Sequence, residues 1–80
     1  MLDELKADGK VVGIKQLRRA LTNGSVSKVF LADDADPRLT GPLAEQCETL
    51  LVACETVASM QELGKACGID VGAAAAGILR

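Results

Sequence analysis

The sequence predicts an α/β fold, a sheet covered on both faces by helices, and three observations carry that prediction. Ile14, Leu17 and Leu21 fall at i, i+3 and i+7, which makes one apolar stripe along a helix. Ser25 to Ala32 instead holds Val26, Val29, Phe30 and Leu31, a near-continuous apolar and β-branched run suited to a strand buried on both faces. The two patterns then alternate in the order strand, helix, strand, helix, strand, helix, strand. Such alternation builds a sheet between helical layers, with right-handed crossovers wherever neighbouring strands are parallel. Eighty residues suffice for one domain of this kind, spanning 1–80, and not for two.

Residues 2–7 read as a short helix that ends at Asp8-Gly9 and is marginal without docking. Lys10-Val11-Val12 is a short extended segment leading into Gly13. The helix from Ile14 reaches Leu21 or Thr22 and stops at Asn23-Gly24, residues that tolerate a left-handed conformation. After the strand, Asp36 suits an N-cap and Pro37 the first helical position. Pro42 cannot donate back to Arg38, so the reading is a single turn over 37–39 and a firmer helix over 42–49. Leu39, Leu43, Cys47 and Leu50 form its expected buried stripe. Residues 50–54 read as a central strand. Ser59 and Glu62 have the form of a capping box, opening a helix over 60–67 that buries Met60, Leu63 and Cys67 and ends at Gly68. Ile69 to Gly72 is a loop. Residues 73–79 hold four successive alanines, helical by propensity, but Gly77 and the position after a helix favour a buried strand whose small residues let helices approach closely.

Composition narrows the function. Phe30 is the only aromatic residue, which excludes sheets that stack bases on Phe, Tyr or Trp. A formal net charge of −2 argues against binding nucleic acid through a bulk positive field. The charges are segregated, however: residues 1–30 hold Lys6, Lys10, Lys15, Arg18, Arg19 and Lys28 against Asp3, Glu4 and Asp8, a balance of +3, and residues 31–80 carry −5. A local basic patch is compatible with that distribution. There is no His, which removes imidazole catalysis and His-ligated metals. Cys47, Cys54 and Cys67 lack the spacing of a metal or redox pair and read as buried thiols in a reducing compartment. The charged N-terminus has no signal-peptide pattern, and the longest apolar run, Val71 to Leu79, is too short for a bilayer. The expectation is a soluble cytoplasmic protein without a membrane partner.

Three features could carry chemistry. Asp33, Asp34 and Asp36 follow the end of a buried strand, where α/β proteins place ligand sites, and could hold a magnesium ion. The other strand ends offer Cys54-Glu55 and Arg80 in place of an acceptor Asp and a positioned Lys, so turn and capping roles account for the cluster better. With no His and no phosphate-cradling Gly-rich loop, neither an enzyme nor a small-molecule substrate, cofactor or metal is expected. The second feature is the helix start at Gly13, with unpaired backbone N–H groups and a positive dipole end. Lys15 and Arg19 are i, i+4 neighbours, and Gln16 beside them both donates and accepts. This surface is either a solvated helix face or one that holds phosphates and reads a base edge. The third is Ile69-Asp70-Val71, either a plug at the start of a strand or a cover for an unstacked base.

The series Gly13-Ile14-Lys15-Gln16-Leu17-Arg18-Arg19-Ala20-Leu21, then Val29 to Pro37, then Glu62-Leu63-Gly64-Lys65-Ala66-Cys67-Gly68-Ile69 resembles the kink-turn RNA-binding family of ribosomal proteins, the superfamily of large-subunit proteins L seven Ae and L thirty e. The likeness covers about residues 10–80 and is nearest to the small stand-alone bacterial members. It implies a three-layer α/β/α sandwich with a four-stranded mixed sheet that binds an internal bulge beside tandem sheared G·A pairs. Gly13, Lys15, Gln16 and Arg19 take the family's positions at the helix start. The resemblance implies that Lys15 and Gln16 face the G·A edges and Arg19 the phosphates or a guanine edge. It likewise implies that Asp36 accepts from an extruded base, and that Ile69, Asp70 and Val71 pack on the bulge nucleotides. Arg19 replaces the usual Lys and keeps its charge, whereas Met60 stands where many members are basic and removes one phosphate contact.

The resulting expectation is a non-catalytic, monomeric RNA-binding protein that stabilises kinked RNA, in ribosomal RNA or a riboswitch. The alternative is a protein-interaction or structural ribosomal module with the same fold and little RNA affinity, for which Met60 and the acidic half speak.

Overall fold

The computed structural model describes residues 9–80, so the helix expected over residues 2–7 lies outside the described residues. Seven elements follow in order: β1 (Lys10–Val12), α1 (Ile14–Thr22), β2 (Val26–Ala32), α2 (Pro37–Leu50), β3 (Ala53–Val57), α3 (Met60–Ala66) and β4 (Ala75–Leu79). The strands form one four-stranded mixed sheet in the order β1-β4-β2-β3. β4 runs antiparallel to both β1 and β2, and β2 and β3 are parallel neighbours joined across α2. The apolar run in β2 is what organises the layers, because successive side chains of a strand point to opposite faces. Val29 and Leu31 pack with Leu17 and Leu21 of α1 and Leu43 and Cys47 of α2. Phe30 and Ala32 pack on the other face with Val57, Leu63 and Cys67, under α3. The result is the three-layer α/β/α sandwich.

β4 lies at the centre of the sheet, and its small residues set how closely α1 can approach. A Cβ at Gly77 would lie 2.5 Å from Leu17 Cδ1 and 3.2 Å from Val26 Cγ1, so the helix seats fully only where this strand has no side chain.

Four expectations are corrected. α2 is continuous from Pro37 to Leu50, with Pro42 inside it. Pro42 and Arg38 both face solvent, so the Arg38 carbonyl that loses its helical partner can be hydrated and the helix need not break. The strand expected over residues 50–54 begins at Ala53, because Leu51 ends the helix in a left-handed conformation (φ 58°) normally signalled by Gly. It is an edge strand, exposed from Ala53 to Thr56, and not a central one. Cys54 on that edge is exposed, unlike the buried Cys47 and Cys67. Finally, only Leu43 and Cys47 of the expected stripe are buried; Leu39 and Leu50 stay near half exposed at the helix ends.

Candidate nucleic-acid interface

The strand directions bring the C-terminal ends of β1, β2 and β3 and the beginning of β4 to one end of the sandwich. Three alanines entering β4 fasten that end together. Gly13 N–H donates to the Ala75 carbonyl at 3.0 Å, Ala32 N–H to Ala74 at 2.9 Å, and Ala73 N–H to the Met60 carbonyl at 3.0 Å. Asp33 N–H donates to the Val57 carbonyl at 2.7 Å, and the Met60 N–H donates to Asp34 Oδ1 at 2.7 Å. The start of α1, the turn after β2, the start of α3 and the loop before β4 are thus tied to a common backbone segment.

At the α1 wall, Gly13 has φ 106° and ψ 152°, a conformation open to Gly and strained for any other residue. A Cβ there would lie 2.7 Å from Gln16 Oε1, which shows the Gln16 amide folded back over the helix start. Leu17 and Leu21 are buried while Lys15, Gln16, Arg18 and Arg19 are exposed. The first turn contains no acidic residue, so nothing on the helix itself offsets the positive dipole end. Gln16 and Arg19 share a hollow of about 370 Å³ with Val11, Ala20 and Leu79, which continues to Lys10, Asn23 and Ser25 toward the opposite end of the sandwich. An amide, a guanidinium and an apolar floor therefore sit side by side, a combination suited to the edge and face of a base. Lys15 stands outside the lining of that hollow.

The second wall is built by α3. Ser59 Oγ accepts from the Glu62 N–H at 3.1 Å and caps the helix as its sequence requires. After Gly68 (φ 81°) the chain turns back along α3, with the Ile69 N–H donating to the Gly64 carbonyl. The approach is close: a Cβ on Gly64 would lie 3.0 Å from Val71 C and 3.1 Å from Gly72 Cα, with the Val71 carbonyl oxygen nearer still. Pressed against the helix, the loop leaves Ile69 37% and Val71 70% exposed. Ile69, Asp70 and Val71 border a hollow of about 280 Å³ with Gln61 and Lys65 of α3.

Asp36 is the N-cap of α2. Its Oδ1 accepts from the Arg38 N–H at 2.9 Å and the Arg38 guanidinium grips both carboxylate oxygens. The Arg38 side chain, and then its backbone N–H, hold the Asp36 carboxyl below the usual carboxylate range. Asp34 and Asp36 are therefore both engaged at helix starts, and no group of three metal-ligating side chains occurs among the described residues. Contacts at helix starts account for Asp34 and Asp36.

The profile of the Ribosomal protein L7Ae/L30e/S12e/Gadd45 family matches residues 2–80. The chain belongs to this family. It is 46% identical over 76 residues to an RNA-binding protein of Geobacillus sp. strain WCH70, covering 95% of this chain and 93% of that one. It is 43% identical to the RNA-binding protein YbxF of Geobacillus stearothermophilus with the same coverage. Large ribosomal subunit protein eL8 of Nitrosopumilus maritimus is 38% identical over 73 residues, which span 57% of that longer chain. The fold agrees with that of the Giardia lamblia 15.5kD RNA binding protein, with a TM-score of 0.91 at 25% identity over 99% of this chain and 70% of that one.

Within this L7Ae-family chain, Gln16 and Arg19 meet in one hollow, Ile69, Asp70 and Val71 border another, and Asp36 lies on the turn after β2, paired to Arg38. Sequence reasoning gave no individual role to Arg38, nor to Gly64 and Lys65, which it quoted only within the segment that carries the resemblance. The first was legible as a cation two residues after an N-cap acid. Gly64 carried no local signal, since a glycine inside a helix shows its purpose only when the segment packed on it is known. No helix among the described residues is long and apolar enough to cross a membrane.

Proposed function

We propose that this chain is a non-catalytic RNA-binding protein, a single domain acting as a monomer in the cytoplasm, which recognises kink-turn RNA and stabilises its bent form. The observation that carries the proposal is the pairing of walls at one end of the sandwich: the uncompensated α1 start at Gly13 with Gln16 folded over it, and the exposed Ile69–Val71 loop, both anchored through residues 73–75, with Arg19 extending the first wall along the helix. The names of the relatives support RNA as the partner. In this reading Gly13 lets the helix start approach the RNA, and Lys15 and Gln16 face the edges of the sheared G·A pairs. Arg19 meets phosphate or a guanine edge. Asp36 accepts from an extruded base with the acceptor capacity that Arg38 leaves it. Ile69 and Val71 cover unstacked bulge nucleotides in place of the absent aromatics, with Asp70 at the loop tip. The protein shifts the RNA toward the bend because these contacts exist only in the bent state.

Titration of a kink-turn duplex against a control with its G·A pairs replaced tests the proposal. Tighter binding of the kink-turn is expected; equal affinity overturns it. A second reading, an interaction module with little RNA affinity, draws on Met60, which packs against the α3-side core and supplies no cation. Steeply salt-dependent RNA binding favours the first reading, because phosphate contacts release counterions.

A further inference from the structure

We propose that Arg38, held out from the start of α2 by the Asp36 carboxylate, contacts a phosphodiester of the bound RNA. The inference rests on the RNA-binding reading above and adds to it a contact from the α2 side. Arg38 Nε–H lies 3.2 Å from each Asp36 oxygen and Nη2–H donates to Oδ2 at 2.8 Å. This fork occupies one edge of the guanidinium and leaves the Nη1 hydrogens and the second Nη2 hydrogen directed elsewhere. The side chain is 89% exposed, so packing does not explain its position. Helix stability does not explain it either. A cation in the first turn faces the positive end of the helix dipole, and an ion pair exposed to water is screened and contributes little.

Recognition does explain it. Asp36 is required as the cap of α2, yet a bare carboxylate at this end would repel an RNA backbone. Arg38 neutralises it and presents its remaining donor edge to an arriving phosphate. Its place is suitable, because the turn that carries Asp36 is bonded through Asp33 and Asp34 to Val57 and Met60 at the end where both walls meet. The start of α3 offers no competing cation, its first residues being Met60, Gln61 and Glu62.

The test titrates the kink-turn duplex and its G·A-replaced control across a salt series with the wild type, Arg38→Gln and Arg38→Lys. Arg38→Gln is expected to weaken kink-turn binding about tenfold, the weight of a charge-assisted hydrogen bond. It should also flatten the log–log salt slope by about 0.7 to 0.9, one phosphate. Arg38→Lys should restore the slope, because it keeps the charge. Because Arg38→Gln also bares the Asp36 carboxylate, the comparison is repeated in an Asp36→Asn background, where there is no carboxylate to bare; unchanged slope and affinity on adding Arg38→Gln there overturn the phosphate contact. If the wild type fails to discriminate the two duplexes, the kink-turn reading falls instead, and the slope difference on either duplex still decides the role of Arg38.

Discussion

Replacing Gly64 by Ala isolates the loop wall from the rest of the site. The added carbon would lie 3.0 Å from Val71 C, with that residue's carbonyl oxygen on the near side. A C=O bond is about 1.2 Å long, so restoring ordinary contact requires the loop to retreat by roughly 1 Å or more. Overpacking of this kind costs about 1 to 3 kcal/mol, while exchanging Gly for Ala inside a helix returns about 1 kcal/mol. The fold therefore survives with a net loss of about 0 to 2 kcal/mol, and the strain is relieved where resistance is least, at the exposed residues 69–72. Gly41→Ala is the control for a helical Cβ far from the loop, because nothing beyond its chain neighbours lies within 4 Å of that carbon; standing before Pro42, whose ring crowds a preceding Cβ in the helical conformation, it should not show the usual helical gain. The assay pairs thermal melts with kink-turn titration and amide shifts. Gly64→Ala should lose about tenfold or more in RNA affinity, since misplacing Ile69 and Val71 forfeits their contacts, with shifts centred on residues 69–72. Gly41→Ala should bind RNA as the wild type does. Unchanged affinity and unperturbed loop amides in Gly64→Ala would refute the idea that this close approach sets the loop.

Gln16→Ala should weaken kink-turn binding while stability, followed by thermal melting, stays within about 0.5 kcal/mol, as for other exposed substitutions; unaltered affinity would remove Gln16 from the site. Ser59→Ala, which deletes the oxygen accepting from Glu62 N–H, should cost about 1 kcal/mol and lower Tm by about 4 to 8 °C in a domain of this size, whereas Ser59→Asp should retain the cap. Burial, with the Cys54 thiol adding to it, pushes the Cys47 thiol from 9.0 up to about 11. The folded state thus holds this proton more tightly than the unfolded one, so its contribution is intact below pH 9 and is lost as pH rises from 9 to 11. Urea denaturation across that window should show the decline, and Cys47→Ala should flatten it; an unchanged pH profile in the variant would count against Cys47.

Most of the fold was legible because each element's signal is local. The 3.6-residue period of α1, the two-faced apolar run of β2 and the Ser59 cap depend on neighbours a few residues away, and all three stand in the structure. The errors come from what lies outside the local pattern, strand pairing in one case and solvent exposure in the others. β3 begins at Ala53 because residues 53–57 pair with residues 28–32 of β2, and Leu51 then adopts the left-handed cap without the glycine that would have announced it. Pro42 likewise is tolerated by its solvent exposure, which no local pattern reports. At the site, Gly13 was readable as a residue chosen for its backbone, and the structure supplies the reason in its φ of 106°. The partnership of the α1 start with a loop more than fifty residues later was not readable from spacing. It depends on the hydrogen bonds of Ala73, Ala74 and Ala75, whose side chains look like any small-residue strand.

A net charge of −2 need not oppose RNA at the α1 wall, since distance and pairing decide which charges act there. Gln46 donates to Thr22 Oγ1 at 3.2 Å, which places the C-terminal half of α2, with Glu45 and Glu48, beside the far end of α1. From Ile14 to Thr22 the helix rises through eight steps, about 12 Å, and charges separated by more than about 8 Å are largely screened at physiological salt. Glu55 is paired with Lys28 on the β3 edge at 3.5 Å, and Asp36 with Arg38. On its own element the field at the start of α1 is consequently set by the helix dipole, Lys15, Arg18 and Arg19, with Asp33, Asp34 and Asp70 as the acidic groups on the other elements of that end. Substituting Glu45 or Glu48 should change RNA affinity far less than substituting Arg19, which puts the preference for RNA in the arrangement of a few side chains and not in the overall charge.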